Sequence, residues 1–248
     1  MLGIEIKRQL RDPVGLFFIA GLPAIMYVIF GATAQWGSQR IHDANISMFT
    51  MVSMAAYGAA TATAGVSSQA GVEKMLGWGR QLGLTPMSDA KFVWLKTKLA
   101  VLIAFIPVAV IYLIGAFTTA DAPLAGWILS FLIVLAGSVQ FAIYGLVFSF
   151  LLRSESAGNA ASGLLVIFAF LGNIFVPLSG FMLDISRFTP FYGYASLARY
   201  PFSEGTMYTM NGGFYEDELW WMVLNFVAWL AFFAVLAFLA ARRNRERQ

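Results

Sequence analysis

Six stretches of this chain contain no Asp, Glu, Lys or Arg, and their lengths limit what the chain can fold into. A helix of about 20 apolar residues crosses the hydrocarbon core of a bilayer. Each stretch is therefore long enough to span a membrane once, and none spans it twice comfortably. They cover residues 13–39, 44–72, 99–120, 122–152, 156–183 and 219–241, with lengths of 27, 29, 22, 31, 28 and 23 residues.

The amino-acid composition is typical of an integral membrane protein. Of its 248 residues, 59% are hydrophobic and 12% are charged, whereas a soluble domain is about 25% charged. A charge at the centre of a membrane helix costs roughly 2.5–3.5 kcal/mol on insertion scales, which explains why the six stretches contain none. We therefore predict an all-α membrane protein with a single domain over residues 1–248. Its six transmembrane helices are expected at about 14–36, 46–68, 92–117, 125–151, 157–180 and 219–241.

The basic residues predict the orientation of these helices. With six spans, one face carries both termini and the segments 69–98 and 152–157. That face holds thirteen of the Lys and Arg residues, and the other face holds only Arg40, Arg187 and Arg199. Because Lys and Arg are enriched on the cytoplasmic side of membrane proteins, we expect both termini to be cytoplasmic.

A cleaved signal peptide is the alternative interpretation of the first span. Ala32-Thr33-Ala34 has the small-x-small form of a cleavage site, and basic residues precede the apolar run. Cleavage would leave five spans. The apolar run is long for a signal peptide, and Glu5 and Asp12 lie in the region before it, so we favour a retained helix.

Residues 2–12 are predicted to form a short amphipathic helix in the cytoplasmic interface. Leu2, Ile6 and Leu10 recur at helical spacing among charged residues. A solvated tail is the alternative. Asp12-Pro13 then predicts an N-cap followed by a first-turn proline at the start of span one.

Residues 181–218, between spans five and six, are rich in Phe and Tyr and sparse in charge. This composition favours re-entrant or interfacial helices at the outer headgroup level. Glu216-Asp217-Glu218 closes the segment, and three acids before a helix favour its macrodipole and mark the outer surface.

Span two is unusually rich in small and hydroxyl residues. Ala56, Ala60 and Ala64 form a ridge at i, i+4 and i+8 that lets another helix approach closely. Plain helix packing is one interpretation of this face, and a face that lines a transport pathway is the other.

The residue types that catalysis or ion coupling requires are missing from the spans. The chain has no Cys and one His, His42, and no charged residue lies in the interior of a span. Proton- or ion-coupled transport usually needs ionisable groups at membrane depth. A phosphate-binding loop needs a Gly-Lys pair, and the chain contains none. These features favour a chain that shapes a path while another protein supplies the energy.

The cytoplasmic segment between spans two and three is too apolar for a solvated loop. Glu73, Gly77 and Arg80 fall at i, i+4 and i+7, which predicts one polar stripe on a short helix. Pro86 disfavours helix at Thr85, so the helix should end near Leu84. The segment is expected to form a compact helix-turn-helix whose apolar residues need a partner.

At these residues the sequence resembles the membrane subunits of ABC-2 type transporters, the permeases of drug, antibiotic and polysaccharide exporters. The resemblance rests on Glu73, on Gln81-Leu82-x-Leu84-Thr85-Pro86-Met87-Ser88 and on Lys96. A second match is Val176-Pro177-Leu178-Ser179-Gly180-Phe181, followed by Pro190 and Arg199. The sequence departs from the pattern at Gly77-Trp78-Gly79-Arg80, where many relatives have a Gly-Thr-type stretch.

The resemblance implies a permease in a bacterial inner membrane that works as a dimer with a separate ATP-binding cassette ATPase. The chain itself would be no enzyme and hold no cofactor, because the partner binds ATP and Mg²⁺. Residues implied in ATPase coupling are Glu73, Gly77, Arg80, Gln81, Leu84, Thr85 and Pro86. Residues implied in the translocation path are Thr61, Ser67, Asn159, Ser162 and Asn173, and those implied in an outer gate are Phe175, Pro177 and Phe181.

The expected function is therefore export of an amphipathic or hydrophobic small molecule, such as a drug, an antibiotic or a lipid-like compound. A sugar polymer or a peptide is the alternative substrate, and identical or different permeases could form the dimer. An ATP-independent channel or assembly subunit is the alternative function, and an intramembrane enzyme is a third.

Overall fold

The computed structural model describes residues 7, 11–70, 89–152 and 156–245, and this part of the chain is mostly helical. The helices are α1 (Pro13–Ala32), α2 (Ile46–Ser68), α3 (Asp89–Ala116), α4 (Leu124–Gly137), α5 (Val139–Leu152), α6 (Ser156–Leu171), α7 (Gly180–Ser186), α8 (Pro190–Ser203) and α9 (Leu219–Arg245). Residues 2–6 and 8–10 of the predicted interfacial helix lie outside the described residues. The predicted cap at the start of α1 is confirmed, because the Asp12 carboxylate accepts a hydrogen bond from the Gly15 amide at 2.9 Å.

Four helical segments among the described residues are long and apolar enough to cross a membrane: Pro13–Ala32, Trp94–Ala116, Leu124–Leu152 and Leu219–Arg242. They correspond to predicted spans one, three, four and six, and they make the chain a membrane protein. Predicted span two corresponds to α2, whose small and hydroxyl residues make it less apolar than these four. Predicted span five corresponds to α6, which is too short to join them. Of the six predicted spans, four are therefore supported by the length and composition of the described helices.

Helix α6 ends earlier than predicted, at Leu171 instead of near residue 180. Gly172 packs too tightly for a side chain, because a Cβ there would lie 2.5 Å from the Phe191 Cβ. Asn173 follows with a φ of 59°, a left-handed conformation that stops a helix.

Two short antiparallel hairpins depart from the all-α prediction. Strands β1 (Arg40–Ile41) and β2 (Ala44–Asn45) pair after α1, and β3 (Thr206–Tyr208) and β4 (Phe214–Glu216) pair after α8. Strands of two or three residues are too short to produce a recognisable alternation of apolar and polar residues, so no sequence pattern predicted them.

Helix α2 lies at the centre of the fold, with all but two of its residues buried. Helices α1, α3, α5 and α6 pack around it. Gly145 of α5 allows a close approach, because a Cβ there would lie 2.4 Å from the Ala64 carbonyl oxygen. Ala56, Ala60 and Ala64 are all buried, so the predicted ridge packs against other helices.

Hydroxyl side chains along α2 bond largely to their own helix. Thr50 and Ser53 donate to the carbonyls of Ile46 and Phe49, at 3.0 Å and 2.6 Å. Further along, Thr61, Thr63 and Ser68 donate to carbonyls three or four residues earlier. These bonds give each hydroxyl hydrogen an acceptor within α2 itself.

The predicted interfacial segment folds over the Ile46 end of α2. Phe49 of α2 makes edge-to-face contacts with Phe202 of α8 and Tyr208 of β3, with ring centroids 5.1 Å and 5.8 Å apart. Most of α8 is buried. This end of α2 is therefore closed by α8 and the β3–β4 hairpin.

Candidate functional site

Three positions that fall every fourth residue form the uncovered face of α2. Thr61 and Gly65 are the two residues of α2 that are not buried, and Gln69 is exposed just after the helix. No described atom lies within 4 Å of the position a Gly65 Cβ would take. We call Thr61, Gly65 and Gln69 the open stripe.

The open stripe is chemically unlike a lipid-facing surface. The exposed positions of α9 carry large apolar side chains, among them Val223, Leu224 and Phe238. Thr61 and Gly65 present no large apolar side chain, and Gln69 follows the end of the helix in the segment that the sequence analysis assigns to the cytoplasmic face. The open stripe is therefore suited to face water, a substrate or another protein chain.

An aromatic pair closes the open stripe toward the Ile46 end of α2. Tyr57 lies one turn before Thr61, and the Thr61 hydroxyl donates to the Tyr57 carbonyl at 2.8 Å. The Tyr57 ring packs edge-on against Phe175, with centroids 4.7 Å apart, and Phe175 also contacts Phe170 of α6 at 4.8 Å. The predicted path residue Thr61 and the predicted gate residue Phe175 thus both contact Tyr57, which the sequence analysis did not single out.

Asn173 holds the chain in place just before Phe175. Its side chain is 6% exposed, and the amide nitrogen donates to the Tyr215 hydroxyl at 3.0 Å. Its side-chain oxygen accepts from the Leu178 amide at 2.9 Å. This predicted path residue therefore bridges the end of α6 to strand β4.

Arg199 of α8 is the most unexpected residue in this region. It is 5% exposed, although the sequence analysis placed it in a surface segment. Its guanidinium donates to the Ser53 hydroxyl of α2, and to the Asn173 carbonyl at 3.0 Å. Ser53 lies about 10 Å along α2 from Ile46, because a helix rises about 1.5 Å per residue.

A polar cluster continues from Asn173 toward the surface. Asp217 is 7% exposed at its side chain and pairs with Arg187 at 2.7 Å. The Tyr192 hydroxyl donates to the same carboxylate and lies 3.4 Å from the Tyr215 hydroxyl. Burial raises the pKa of Tyr215 above its usual value, so that this phenol remains neutral at physiological pH.

The acidic run before α9 therefore has a different role from the one expected for Asp217. We predicted that Glu216-Asp217-Glu218 acts on the helix macrodipole, but the Asp217 carboxylate is buried against Arg187 and Tyr192. The sequence could not predict this contact, because Arg187 lies thirty residues earlier in the chain.

The other predicted path and gate residues are not gathered at one point. Ser67 is buried between α2 and α5, where a Gly145 Cβ would lie 2.9 Å from the Ser67 Cβ. On α6, Asn159 is exposed and Ser162 is half-buried. Pro177 is half-buried after α6, and Phe181 in α7 is 76% exposed.

The predicted coupling residues Glu73, Gly77, Arg80, Gln81, Leu84, Thr85 and Pro86 lie outside the described residues. Within the described part of the chain, no three His, Asp or Glu side chains are grouped as a metal site would require.

Comparison with known proteins yields one informative likeness. No family model matches the chain. The chain is 24% identical over 240 residues to a Bacillus subtilis (strain 168) protein named "Putative transport permease YvfS", and the match covers 94% of this chain and 92% of that protein. The chain is thus similar, along nearly its whole length, to a protein named as a transport permease.

Proposed function

We propose that this chain is the permease subunit of an ABC exporter that moves an amphipathic or hydrophobic small molecule outward across a bacterial inner membrane. In this proposal the chain spans the membrane six times, with both termini in the cytoplasm, as an ABC-2 type transmembrane domain. The likeness to a protein named as a transport permease supports the transport role.

The observation that carries the proposal is the open stripe ending at the aromatic pair of Tyr57 and Phe175. Thr61, Gly65 and Gln69 give a face that is mildly polar, small and uncharged. Such a face is suited to an amphipathic molecule, which needs apolar contact with few fixed charges. The ring contact at 4.7 Å lies at the Ile46 end of the face, which this proposal places outward, and there it would act as an outer gate.

A second permease would complete the path. The open stripe lies on the surface of a single chain, so that another copy, or a related chain, can face it and enclose a space between the two subunits. We propose a homodimer, because one chain then supplies both walls.

The energy would come from a separate ATP-binding subunit docked on the 71–88 segment. The chain has no Gly-Lys pair for a phosphate loop and no ionisable residue within its apolar stretches. ATP binding that favours one state of the complex would shift the permease between inward-open and outward-open forms.

The test is co-expression of the tagged chain with a candidate ABC ATPase, followed by co-purification and measurement of ATP hydrolysis in lipid nanodiscs. We expect the ATPase to co-purify, and we expect Glu73→Ala and Arg80→Ala to lower hydrolysis and drug-stimulated activity. Arg242→Ala, a basic residue exposed at the end of α9, is the matched control and should leave both unchanged. Equal hydrolysis after both coupling substitutions would overturn the docking assignment.

A direct transport assay separates the exporter from the alternatives. Inverted membrane vesicles that contain both proteins should accumulate a fluorescent amphipathic dye only when ATP is present. Dye movement without ATP would indicate a channel instead.

A further inference from the structure

Arg199 joins two elements that border the open stripe. One guanidinium nitrogen donates both to the Ser53 hydroxyl, on α2, and to the Asn173 carbonyl, just after α6. The guanidinium therefore lies between α2 and the end of α6 and is bonded to both.

The same two elements carry the aromatic pair. Tyr57 lies one helical turn after Ser53, and Phe175 lies two residues after Asn173. Separation of the Tyr57 and Phe175 rings by a relative movement of these elements also separates Ser53 from Asn173. One of the two Arg199 bonds must then break.

The surroundings of Arg199 make these two bonds important. No carboxylate among the described residues lies within 4.0 Å of its guanidinium, and the Nε atom has no hydrogen-bond partner. Arginine cannot lose its proton in a protein. Its charge is therefore stabilised by neutral acceptors on the two elements whose separation would open the path.

We propose that Arg199 is the latch of the outer gate, holding the Tyr57–Phe175 pair closed by tying α2 to the end of α6. This inference rests on the proposed function, because it assumes that a path runs along the open stripe. A merely structural role would instead make Arg199 stabilise the fold without changing access to the stripe.

The native chain contains no cysteine, so a single Thr61→Cys reports access to the stripe from either side. A membrane-impermeant maleimide is applied to intact cells, and the labelling rate from outside is measured. Loss of a charged hydrogen bond shifts an equilibrium by roughly tenfold or more, so Arg199→Gln should raise the outside labelling rate by about that factor. Ser53→Ala removes one of the two acceptors and should raise the rate less.

Two controls separate a latch from a loosened fold. Arg40→Gln removes an exposed ion pair with Asp121 and should leave labelling at position 61 unchanged. A second reporter, Ala104→Cys, is fully buried in α3 and should stay unlabelled in the Arg199→Gln background. Increased labelling at both reporters would show general unfolding and overturn the latch.

Labelling from the cytoplasmic face tests separately whether Arg199 acts as a latch and whether a path runs along the open stripe. Inside-out vesicles give the labelling rate of Thr61→Cys from the cytoplasmic face. Labelling from that face, with an outside rate that Arg199→Gln does not change, would overturn the latch and leave the path standing. No labelling from either face in any variant would overturn both.

Discussion

The amide nitrogen of Asn173 donates to the hydroxyl of Tyr215 at 3.0 Å and so fastens the end of α6 to strand β4. Asn173 lies just after α6, and Tyr215 lies in the β3–β4 hairpin that covers one end of the central helix. Because Phe175 follows Asn173 by two residues, this bond also positions one member of the aromatic pair.

Substitutions at Asn173 should separate its backbone role from its side-chain role. Both Asn173→Gly and Asn173→Ala lose the bonds to Tyr215 and Leu178, but only alanine must also adopt the left-handed φ of 59°. Alanine should therefore be less stable than glycine by about 1 kcal/mol. Thermal unfolding in detergent measures the difference, and equal stability of the two variants would contradict this account of the backbone.

Loss of the Asp217 charge should destabilise the segment between α6 and α9. Asp217→Asn leaves Arg187 without its closest carboxylate and weakens the bond from Tyr192, at a cost of about 1–3 kcal/mol. Thermal unfolding should shift downward by several degrees. Glu218→Gln, at an exposed neighbour, is the control and should have little effect. A double variant with Arg187→Gln should lose less than the sum of the single losses, because the two residues share one interaction.

Overpacking at Gly145 should push α5 away from α2. The Cβ of Gly145→Ala would already lie 2.4 Å from the Ala64 carbonyl, so we expect destabilisation of roughly 1–3 kcal/mol. Gly163→Ala, on α6, has no described atom within 4 Å of its Cβ and should be neutral or slightly stabilising. Thermal unfolding and the folded yield in size-exclusion chromatography report the result. The prediction is wrong if the two variants behave alike.

A bulky residue on the open stripe should block transport without harming the fold. Gly65→Leu meets no described atom within 4 Å at its Cβ, so thermal stability should change by less than about 1 kcal/mol. Dye accumulation in inverted vesicles should fall strongly, because the side chain enters the proposed path. Val227→Leu, on an exposed face of α9, should transport normally. Normal transport by Gly65→Leu would place the path elsewhere.

The long helices could be predicted because a membrane-spanning helix excludes charged residues. The resulting uncharged stretches of 20 or more residues are visible in the sequence. Spans one, three, four and six match the apolar helices to within a few residues at most ends. The end of α6 was placed too late, because Asn173, whose left-handed φ of 59° ends the helix, lies inside a stretch without charged residues.

The site was harder to predict than the fold. Thr61 and Phe175 were singled out, but the residue that joins them, Tyr57, looks in the sequence like any aromatic residue of a membrane helix. Arg199 was counted with the surface residues because a single charge among aromatics does not reveal its burial. Its partners, Ser53 and Asn173, are separated from it by 146 and 26 residues, beyond the reach of any local pattern.

The distribution of hydrogen bonds along α2 has a mechanical consequence. Near the Ile46 end, Ser47 bonds to Tyr27 at 3.1 Å and to Thr119 at 3.0 Å, and Ser53 accepts from Arg199. From Tyr57 to Ser68, the hydrogen bonds made by hydroxyl groups of this helix in the described structure go to its own carbonyls. Among the described residues, the hydroxyl bonds that tie α2 to its neighbours are therefore concentrated near its Ile46 end, whereas the other half is held by close packing, as where Ala64 meets Gly145.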